Sequence, residues 1–183
     1  FYFMIKTLNK KLIYENKWIR LWEDEVEFPN GEQGIYSYVQ RIDEGGLIIP
    51  VIDDTHVVLL REWRYPIQSW TWCWPAGGSH TPGEAKLIVA QRELVEETGY
   101  TANDWIDLGT IQIDPGLNAQ TEQVYLARGL TAGTSQLDVS EIHEVVIKSF
   151  DEIEQMIASG EINNGWFLAG WAKLKVFLPE ISK

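Results

Sequence analysis

The chain has 183 residues and a formal net charge of −12, with 27 acidic against 15 basic side chains. Hydrophobic residues make up 45% of it and aromatic residues 12%, which is the composition of a folded protein and not of a disordered one. This acidic balance offers no electrostatic footprint for nucleic acid or for an anionic membrane, so we expect neither as a partner. The one cysteine excludes an internal disulfide and indicates a reducing, cytoplasmic location.

The first part of the chain predicts short β-strands. Residues 17–22, 25–28 and 34–40 alternate, partly or fully, between apolar and polar side chains. Residues 46–52 and 56–60 are continuous apolar runs, which are typical of strands buried on both faces. We therefore expect short strands through the first half of the chain.

Helical periodicity begins only at Glu84 and ends at Gly99, where a glycine suits a left-handed C-cap. The elements predicted after this helix are strands at 106–113 and 122–126 and helices at 149–160 and 166–177. Strands, a central helix, further strands and two terminal helices predict an α+β fold or an α/β/α sandwich.

No repeat, low-complexity tract or proline- and serine-rich linker divides the sequence, so we predict one folding unit over residues 1–183. The chain begins Phe1-Tyr-Phe3 before Met4, and we expect Met4 to be the native first residue. This aromatic triplet lacks the basic region and the cleavage site of a signal peptide.

Three glutamates of the predicted helix suggest its chemistry. At 100° per residue, Glu93, Glu96 and Glu97 share an arc of about 100° on the helix surface. Like charges at this spacing weaken an isolated helix, and a hard divalent cation with oxygen ligands would compensate them. Two interpretations are therefore open, a solvated acidic face or a magnesium site for phosphate chemistry.

The loop before this helix favours the second interpretation. Ala76-Gly77-Gly78 allows the backbone to approach a ligand closely, and Pro82-Gly83-Glu84 turns the chain into the helix. Loop, turn, helix and carboxylates thus form one unit of about 25 residues.

The same residues resemble a known family pattern. Gly78, then Glu84 after five residues, then Arg92-Glu-Leu-Val-Glu-Glu-Thr-Gly99 after seven more, is similar to the Nudix box. Tyr100 departs from that pattern, which continues with an aliphatic residue. The resemblance implies a Nudix-type fold, with a mixed sheet between helices and an N-terminal antiparallel β region.

For the domain organisation, the resemblance implies a single Nudix domain over residues 1–183. Its N-terminal β region, at about 4–45, would take part in forming a homodimer, and residues 46–183 would form the catalytic core.

For the chemistry, the resemblance implies that metal-activated water attacks the pyrophosphate of a nucleoside diphosphate linked to another group. The metal would be Mg²⁺, with Mn²⁺ as a substitute. Glu93 and Glu97 would be its principal ligands, joined by Glu96 and the carbonyl of Ala76, and Arg92 would orient the carboxylates.

Two further segments resemble ADP-ribose pyrophosphatases. Pro115 lies 16 residues after the box, as does a proline that marks that subgroup, and Leu60-Arg-Glu-Trp-Arg-Tyr-Pro66 resembles its arginine-bearing strand. This implies hydrolysis of ADP-ribose or a related nucleoside diphosphate sugar to AMP, or another NMP, and a sugar phosphate. Arg64 and Arg61 are candidates for binding the substrate phosphates, and Gly78 and Pro115 are further candidate substrate contacts.

The catalytic base is expected in an acidic segment after the box, where the subgroup carries it. Glu141 is our first candidate, and Glu144 and Asp138 are the alternatives. One departure from the subgroup is Trp72-Cys73-Trp74, which stands where relatives carry an acidic residue beside a leucine.

Two other functions remain open at this point. The substrate could be another nucleoside diphosphate derivative, such as a dinucleoside polyphosphate. Alternatively, the chain could be a non-hydrolytic Nudix-fold ligand sensor, but such proteins usually lose box carboxylates or add a DNA-binding domain. Retention of Glu93, Glu96 and Glu97 in this chain favours an enzyme.

Overall fold

The computed structural model describes residues 4–42, 45–79, 81, 83–134 and 143–181. Its strands are β1 Lys6–Asn9, β2 Leu12–Glu15, β3 Ile19–Glu27, β4 Gln33–Arg41, β5 Gly45–Pro50, β6 His56–Arg64, β7 Ser69–Cys73, β8 Ala76–Gly78, β9 Tyr100–Ile111, β10 Glu122–Ala132 and β11 His143–Ser149. Its helices are α1 Lys86–Thr98, α2 Phe150–Ser159 and α3 Gly165–Ile181. The chain forms two compact units, Phe1–Glu44 with Gln112–Thr121, and Gly45–Ile111 with Glu122–Lys183.

The first unit is a four-stranded antiparallel sheet centred on β3, which pairs with β1, β2 and β4. The two runs predicted at 17–22 and 25–28 are one strand, because β3 continues through Asp24. That residue is 5% exposed and accepts a hydrogen bond from the Tyr38 hydroxyl at 3.3 Å. Burial, followed by the charge of Asp24, raises the pKa of Tyr38.

The second unit contains a mixed sheet and an antiparallel sheet. The mixed sheet has the order β8-β5-β10-β9, in which only β5 and β10 run parallel. The antiparallel sheet has the order β11-β6-β7.

Strand β5 is buried on both faces, as its continuous apolar run predicts. Leu47 and Ile49 contribute to the larger core, which also contains residues of β6, β7, α2 and α3. Ile48, on the other face, belongs to a smaller core with Ala90 and Leu94 of α1. Helix α1 therefore covers one face of the mixed sheet, and the second sheet with α2 and α3 covers the other. The predicted α+β class is confirmed.

Helices α1 and α2 end, and α2 begins, at residues that are typical helix caps. Gly99 and Gly160 adopt left-handed conformations, with φ of 75° and 80°, at the ends of α1 and α2. Ser149 opens α2 with a capping box that includes Glu152. Helix α3 is longer than predicted and continues through Pro179 to Ile181. A proline beyond the first turn of a helix removes the backbone hydrogen bond to the carbonyl four residues earlier, which is why the sequence predicts an end before Pro179.

Five strands are additional to those predicted, namely β1, β2, β7, β8 and β11. β1, β2, β7 and β8 have three to five residues, which provide too few alternations to reveal a period. β11 has seven, but its three apolar residues are consecutive and do not alternate with polar ones. Within the described ranges, no helix has both the length and the apolar character needed to cross a membrane.

Candidate active site

The candidate site is built on the outer edge of β8, the edge that does not pair with β5, beside α1. The amide of Ile48 donates to the carbonyl of Pro75 at 2.8 Å, so the next cross-strand pair, Leu47 with Ala76, is a non-hydrogen-bonded pair. The N–H and C=O of Ala76 consequently point away from β5, toward the outer edge. Gly78, two residues further on, presents its carbonyl at the same edge.

Glu97 binds this edge through its side chain. The Ala76 N–H donates to the Glu97 Oε2 atom at 3.0 Å. Since the N–H and C=O of one strand residue share an edge, the carbonyl of Ala76 faces the same side as the carboxylate of Glu97. Two oxygen donors predicted as metal ligands thus lie together.

Glu93 lies against Gly77 in the same strand. A β-carbon added to Gly77 would lie 2.0 Å from Cδ and within 2.3 Å of both carboxylate oxygens of Glu93. Only glycine leaves room for the carboxylate at this position. Glu93 is 9% exposed, which separates it from an ordinary solvated glutamate.

Arg92 connects Glu93 and Glu96 to the outer edge of β8. Its Nη1 atom lies 2.8 Å from Glu93 Oε1 and 2.8 Å from Glu96 Oε2, and its Nη2 donates to the Gly78 carbonyl at 2.9 Å. Partial burial acts to lower the pKa of Arg92, but the charges and hydrogen bonds of Glu93 and Glu96 outweigh it and raise that pKa. These contacts support the predicted role of Arg92, which is to orient the carboxylates.

The donor set suits a hard divalent cation, because it consists of three carboxylates and a backbone carbonyl. Among the residues that the structure describes, no three or more His, Cys, Asp or Glu side chains are grouped so that they could hold a metal ion as they stand. The guanidinium of Arg92 and the amide of Ala76 hold the carboxylates instead. The residues therefore fit a cation in chemistry, and binding would require Glu93, Glu96 and Glu97 to exchange some of these contacts and to move closer together.

The two candidate arginines of β6 point to opposite faces of their sheet, because they are three residues apart in a strand. Arg61 lies over Trp70, at 5.4 Å from the ring centroid, and pairs with Glu144 at 3.7 Å. Arg64 pairs with Glu62 at 2.7 Å.

His143 identifies which of these faces is turned toward α1. It lies directly across from Glu62 in the sheet, and so shares a face with Glu62 and Arg64. Its Nε2 atom lies 3.0 Å from the backbone carbonyl of Glu97, at the end of α1. Arg64 is thus on the face that reaches α1, and Arg61 is on the other.

The candidates for the catalytic base are separated by the same geometry. Glu144 follows His143 in β11, so its side chain is directed to the opposite face, where it pairs with Arg61. This arrangement does not favour Glu144 as the base. Glu141 and Asp138 lie outside the described residues.

Pro115 belongs to the first compact unit, in a turn closed by a hydrogen bond from the amide of Asn118 to the carbonyl of Asp114 at 2.7 Å. The described contacts of its neighbours are within that unit, where the Tyr36 hydroxyl donates to the Gly116 carbonyl at 3.0 Å. Its predicted contact with substrate stays a prediction.

Cys73 lies beside Arg64, with Arg64 Nη2 4.0 Å and Asn164 Nδ2 3.5 Å from its sulfur atom. Burial is the main reason why the pKa of this thiol is raised, so it is a poor nucleophile. The acidic partner of Arg64 is Glu62, in the same strand.

Comparisons with known proteins address the family and the fold of the chain. The sequence model described as the NUDIX domain matches residues 45–167, which is more than half of the chain. The chain belongs to the Nudix family. A second model, described as the nucleoside diphosphate sugar hydrolase N-terminal domain, matches residues 5–39 of this Nudix protein.

Curated relatives include the ADP-ribose pyrophosphatase of Bacillus subtilis, 29% identical over 86% of this chain and 85% of its own length. The methanol dehydrogenase activator of Bacillus methanolicus is 28% identical over the same shares of the two chains. The mouse ADP-sugar pyrophosphatase is 31% identical over 63% of this chain and 57% of its own. These relatives confirm the prediction of an enzyme of the Nudix pyrophosphohydrolase type.

Among solved structures, an ADP compounds hydrolase has a TM-score of 0.82 with this chain, over 96% of this chain and 95% of its own, at 22% identity. At this sequence identity, the structural similarity shows that the two proteins share a fold. The predicted Nudix-type fold is confirmed by it.

Proposed function

We propose that this Nudix enzyme hydrolyses the pyrophosphate bond of ADP-ribose or a related nucleoside diphosphate sugar, giving AMP, or another NMP, and a sugar phosphate. The observation that carries the proposal is that Glu93 and Glu97 lie against β8 while Arg92 connects Glu96 to Glu93. The names of the two pyrophosphatase relatives support the choice of substrate class.

We assign the metal ligands to Glu93, Glu96, Glu97 and the carbonyl of Ala76, with Mg²⁺ as the ion and Mn²⁺ as a substitute. A bound divalent cation would supply Lewis acidity, and it would reverse the local sign of a protein of charge −12 where a diphosphate must bind. Arg92 would limit the movement of Glu93 and Glu96 through its bonds to both, so the carboxylates stay together without the ion.

Arg64 is the arginine that we assign to the substrate phosphates, because it shares the α1-facing side of its sheet with His143. A guanidinium suits phosphate oxygens through its fork of N–H groups. Arg61 lies on the opposite face, against Trp70 and Glu144. We expect Arg64→Met to raise KM by about tenfold or more and Arg61→Met to change it little, since a charged hydrogen bond contributes roughly 1.5–3 kcal/mol.

For the catalytic base we propose Glu141, on the sequence resemblance alone. Glu141→Gln should lower turnover by roughly 10²–10⁴-fold if this carboxylate removes a proton in the reaction. Asp138→Asn is the matched variant, because it neutralises another carboxylate of the same segment. A loss below about threefold in Glu141→Gln would remove Glu141 from the mechanism.

We also propose that the enzyme is a cytoplasmic homodimer that associates through its N-terminal sheet. The first unit leaves apolar side chains exposed, and the most exposed of those described are Met4, Trp18, Ile35, Tyr14 and Leu117. Exposed apolar patches of this kind are typical of association surfaces. Light scattering that gives the monomer mass of 21.0 kDa would contradict the dimer.

The deciding experiment measures AMP release from ADP-ribose with Mg²⁺ and with chelator, beside a panel of nucleotide sugars and dinucleoside polyphosphates. We expect selective release from ADP-ribose or a related sugar, abolished by the chelator and by Glu97→Gln. Release of AMP that survives the chelator would contradict the metal assignment. Faster turnover of a dinucleoside polyphosphate would replace the substrate and leave the site intact.

One further relative is a reason to include substrates with another nucleobase in the panel. A relative from Streptomyces rubellomurinus, 26% identical over 82% of this chain, is a hydrolase of a CMP-linked phosphonate. A cytidine nucleotide sugar therefore belongs in the assay, where it tests whether the nucleobase is discriminated at all.

A further inference from the structure

We propose that His143 is a positioning residue that fixes Glu97 by holding the last turn of α1 against β11. The proposal rests on the proposed function, in which Glu97 is a metal ligand. His143 does not touch the reacting atoms in this account, and it acts through the backbone of Glu97.

The first observation concerns the end of the helix. The last four carbonyls of an α-helix have no partner within the helix, so a side chain that donates to one of them restrains the final turn. Gly99 supplies its N–H to the carbonyl of Val95 at 2.9 Å. The imidazole of His143 supplies Nε2 to the carbonyl of Glu97 at 3.0 Å. A carbonyl only accepts, so Nε2 is the donor in this bond.

The second observation is that Glu97 is held twice, from two different sheets. Its carboxylate accepts from the amide of Ala76, which belongs to the mixed sheet. Its backbone carbonyl accepts from His143, which belongs to the antiparallel sheet. The first bond fixes the tip of the Glu97 side chain, and the second restrains the final helical turn that carries this side chain. Groups that orient a metal ligand from outside typically affect metal affinity or activity by 10–100-fold.

The third observation connects this contact with the arginine strand. His143 lies across from Glu62 in the sheet register, and Glu62 pairs with Arg64 at 2.7 Å. One imidazole therefore links the helix that carries the proposed metal ligands to the strand that carries the proposed phosphate ligand. This link acts beside the core shared by the two sheets, which also holds the proposed metal and phosphate sites at a fixed separation.

The test compares two variants of His143, glutamine and asparagine, whose side-chain amides differ in reach by one methylene group. In His143→Gln the side-chain amide nitrogen occupies a position close to Nε2 and can donate to the Glu97 carbonyl. In His143→Asn the same amide is too short to reach it. His56→Gln is the matched control, because His56 begins β6 at the opposite end of the same strand pair, where its ring lies against Asp53 and Thr55.

Each variant is titrated with Mn²⁺ by electron paramagnetic resonance, and kcat/KM for ADP-ribose is measured beside it. We expect His143→Asn to weaken Mn²⁺ binding by about tenfold, the low end of the range for groups that act through a ligand. His143→Gln and His56→Gln should stay within about threefold of the natural chain on the same scale. The melting temperature of the metal-free protein provides the structural control.

The outcomes separate the two proposals. Natural protein that neither binds Mn²⁺ nor releases AMP overturns the proposed function. Natural protein that does both, with His143→Asn equal to it in Mn²⁺ affinity, overturns the role of His143 alone. Equal weakening in the Asn and Gln variants also overturns it, because loss would then follow from altered packing and not from the lost donor. If His143→Asn does not fold, the Gln variant decides: retained affinity supports the role, and lost affinity refutes it.

Discussion

Replacing Gly77 by alanine is the sharpest test of the carboxylate site, because the change is one methyl group. A β-carbon at this position would lie 2.0 Å from Cδ of Glu93, whereas ordinary contacts begin at 3.4 Å. The backbone of Gly77 does not have a positive φ, so alanine is compatible with it. The Glu93 carboxylate must therefore retreat by more than an ångström.

The magnitude follows from that displacement. Misplacing a group at a reacting centre by about 1 Å can cost 10²-fold in rate, equivalent to about 2.7 kcal/mol of transition-state stabilisation. The cost in stability is smaller, about 1 kcal/mol, because the atoms that must move are the end of a flexible side chain. For a chain of this length that corresponds to a fall in Tm of roughly 2–4 °C.

The assay is AMP release from ADP-ribose at saturating Mg²⁺, with Mn²⁺ binding and Tm measured on the same samples. Gly34→Ala is the control, since its added β-carbon would lie 2.7 Å from a ring carbon of Phe28, which is also part of a side chain. We expect Gly77→Ala to lose about 10²-fold in kcat/KM and Gly34→Ala to keep its activity. Activity of Gly77→Ala within about threefold of the natural chain would refute the reasoning, because Glu93 would then not need its position.

Three further predictions concern stability and reactivity. Hydrogen bonds, first that from Lys148, lower the pKa of Glu152 from 4.5 to about 2, so their stabilisation is complete above pH 4.5 and is lost as the pH falls toward 2. The difference in Tm between the natural chain and Glu152→Gln should accordingly shrink over that window. Burial raises the pKa of Cys73, and we expect iodoacetamide to label it only after unfolding. Gly170→Ala would bring a β-carbon to 2.6 Å from Nε1 of Trp74, and we expect a net loss of about 1–2 kcal/mol by thermal unfolding, despite the better helix propensity of alanine.

Each of these predictions has a result that contradicts it. A Tm difference that is constant with pH would mean that Glu152 is not linked to folding through its ionisation. Rapid labelling of Cys73 in the native protein would mean that its thiol is accessible. A higher Tm for Gly170→Ala would show that Trp74 can move without losing its hydrogen bond to the carbonyl of Phe167.

Local periodicity accounts for the parts of the site that the sequence predicts. Glu93, Glu96 and Glu97 share a helix face because of the 100° repeat, and Gly99 ends that helix because it tolerates a positive φ. Strand periodicity also contained a signal that the prediction did not use. Arg61 and Arg64 are an odd number of residues apart, so only one of them can face the site.

Long-range contacts account for what the sequence does not predict. The bond from His143 joins residues 46 positions apart, and that from Ala76 joins residues 21 apart. Neither bond produces a periodic pattern in the sequence, because both arise from the pairing of strands and from the docking of α1 beside them. The three residues of β8 are likewise recognisable only through their partner β5. Pairing of this kind is determined by the whole fold.

The contacts that assemble the carboxylates have a second effect on the molecule. Strand β8 is the edge of its sheet, and an uncovered edge invites pairing with the backbone of another chain. Here the outward amide of Ala76 and the outward carbonyl of Gly78 are already engaged by Glu97 and Arg92 of α1. The side chains proposed for catalysis therefore also protect the protein against aggregation at this edge. Variants that truncate them should be less soluble as well as less active.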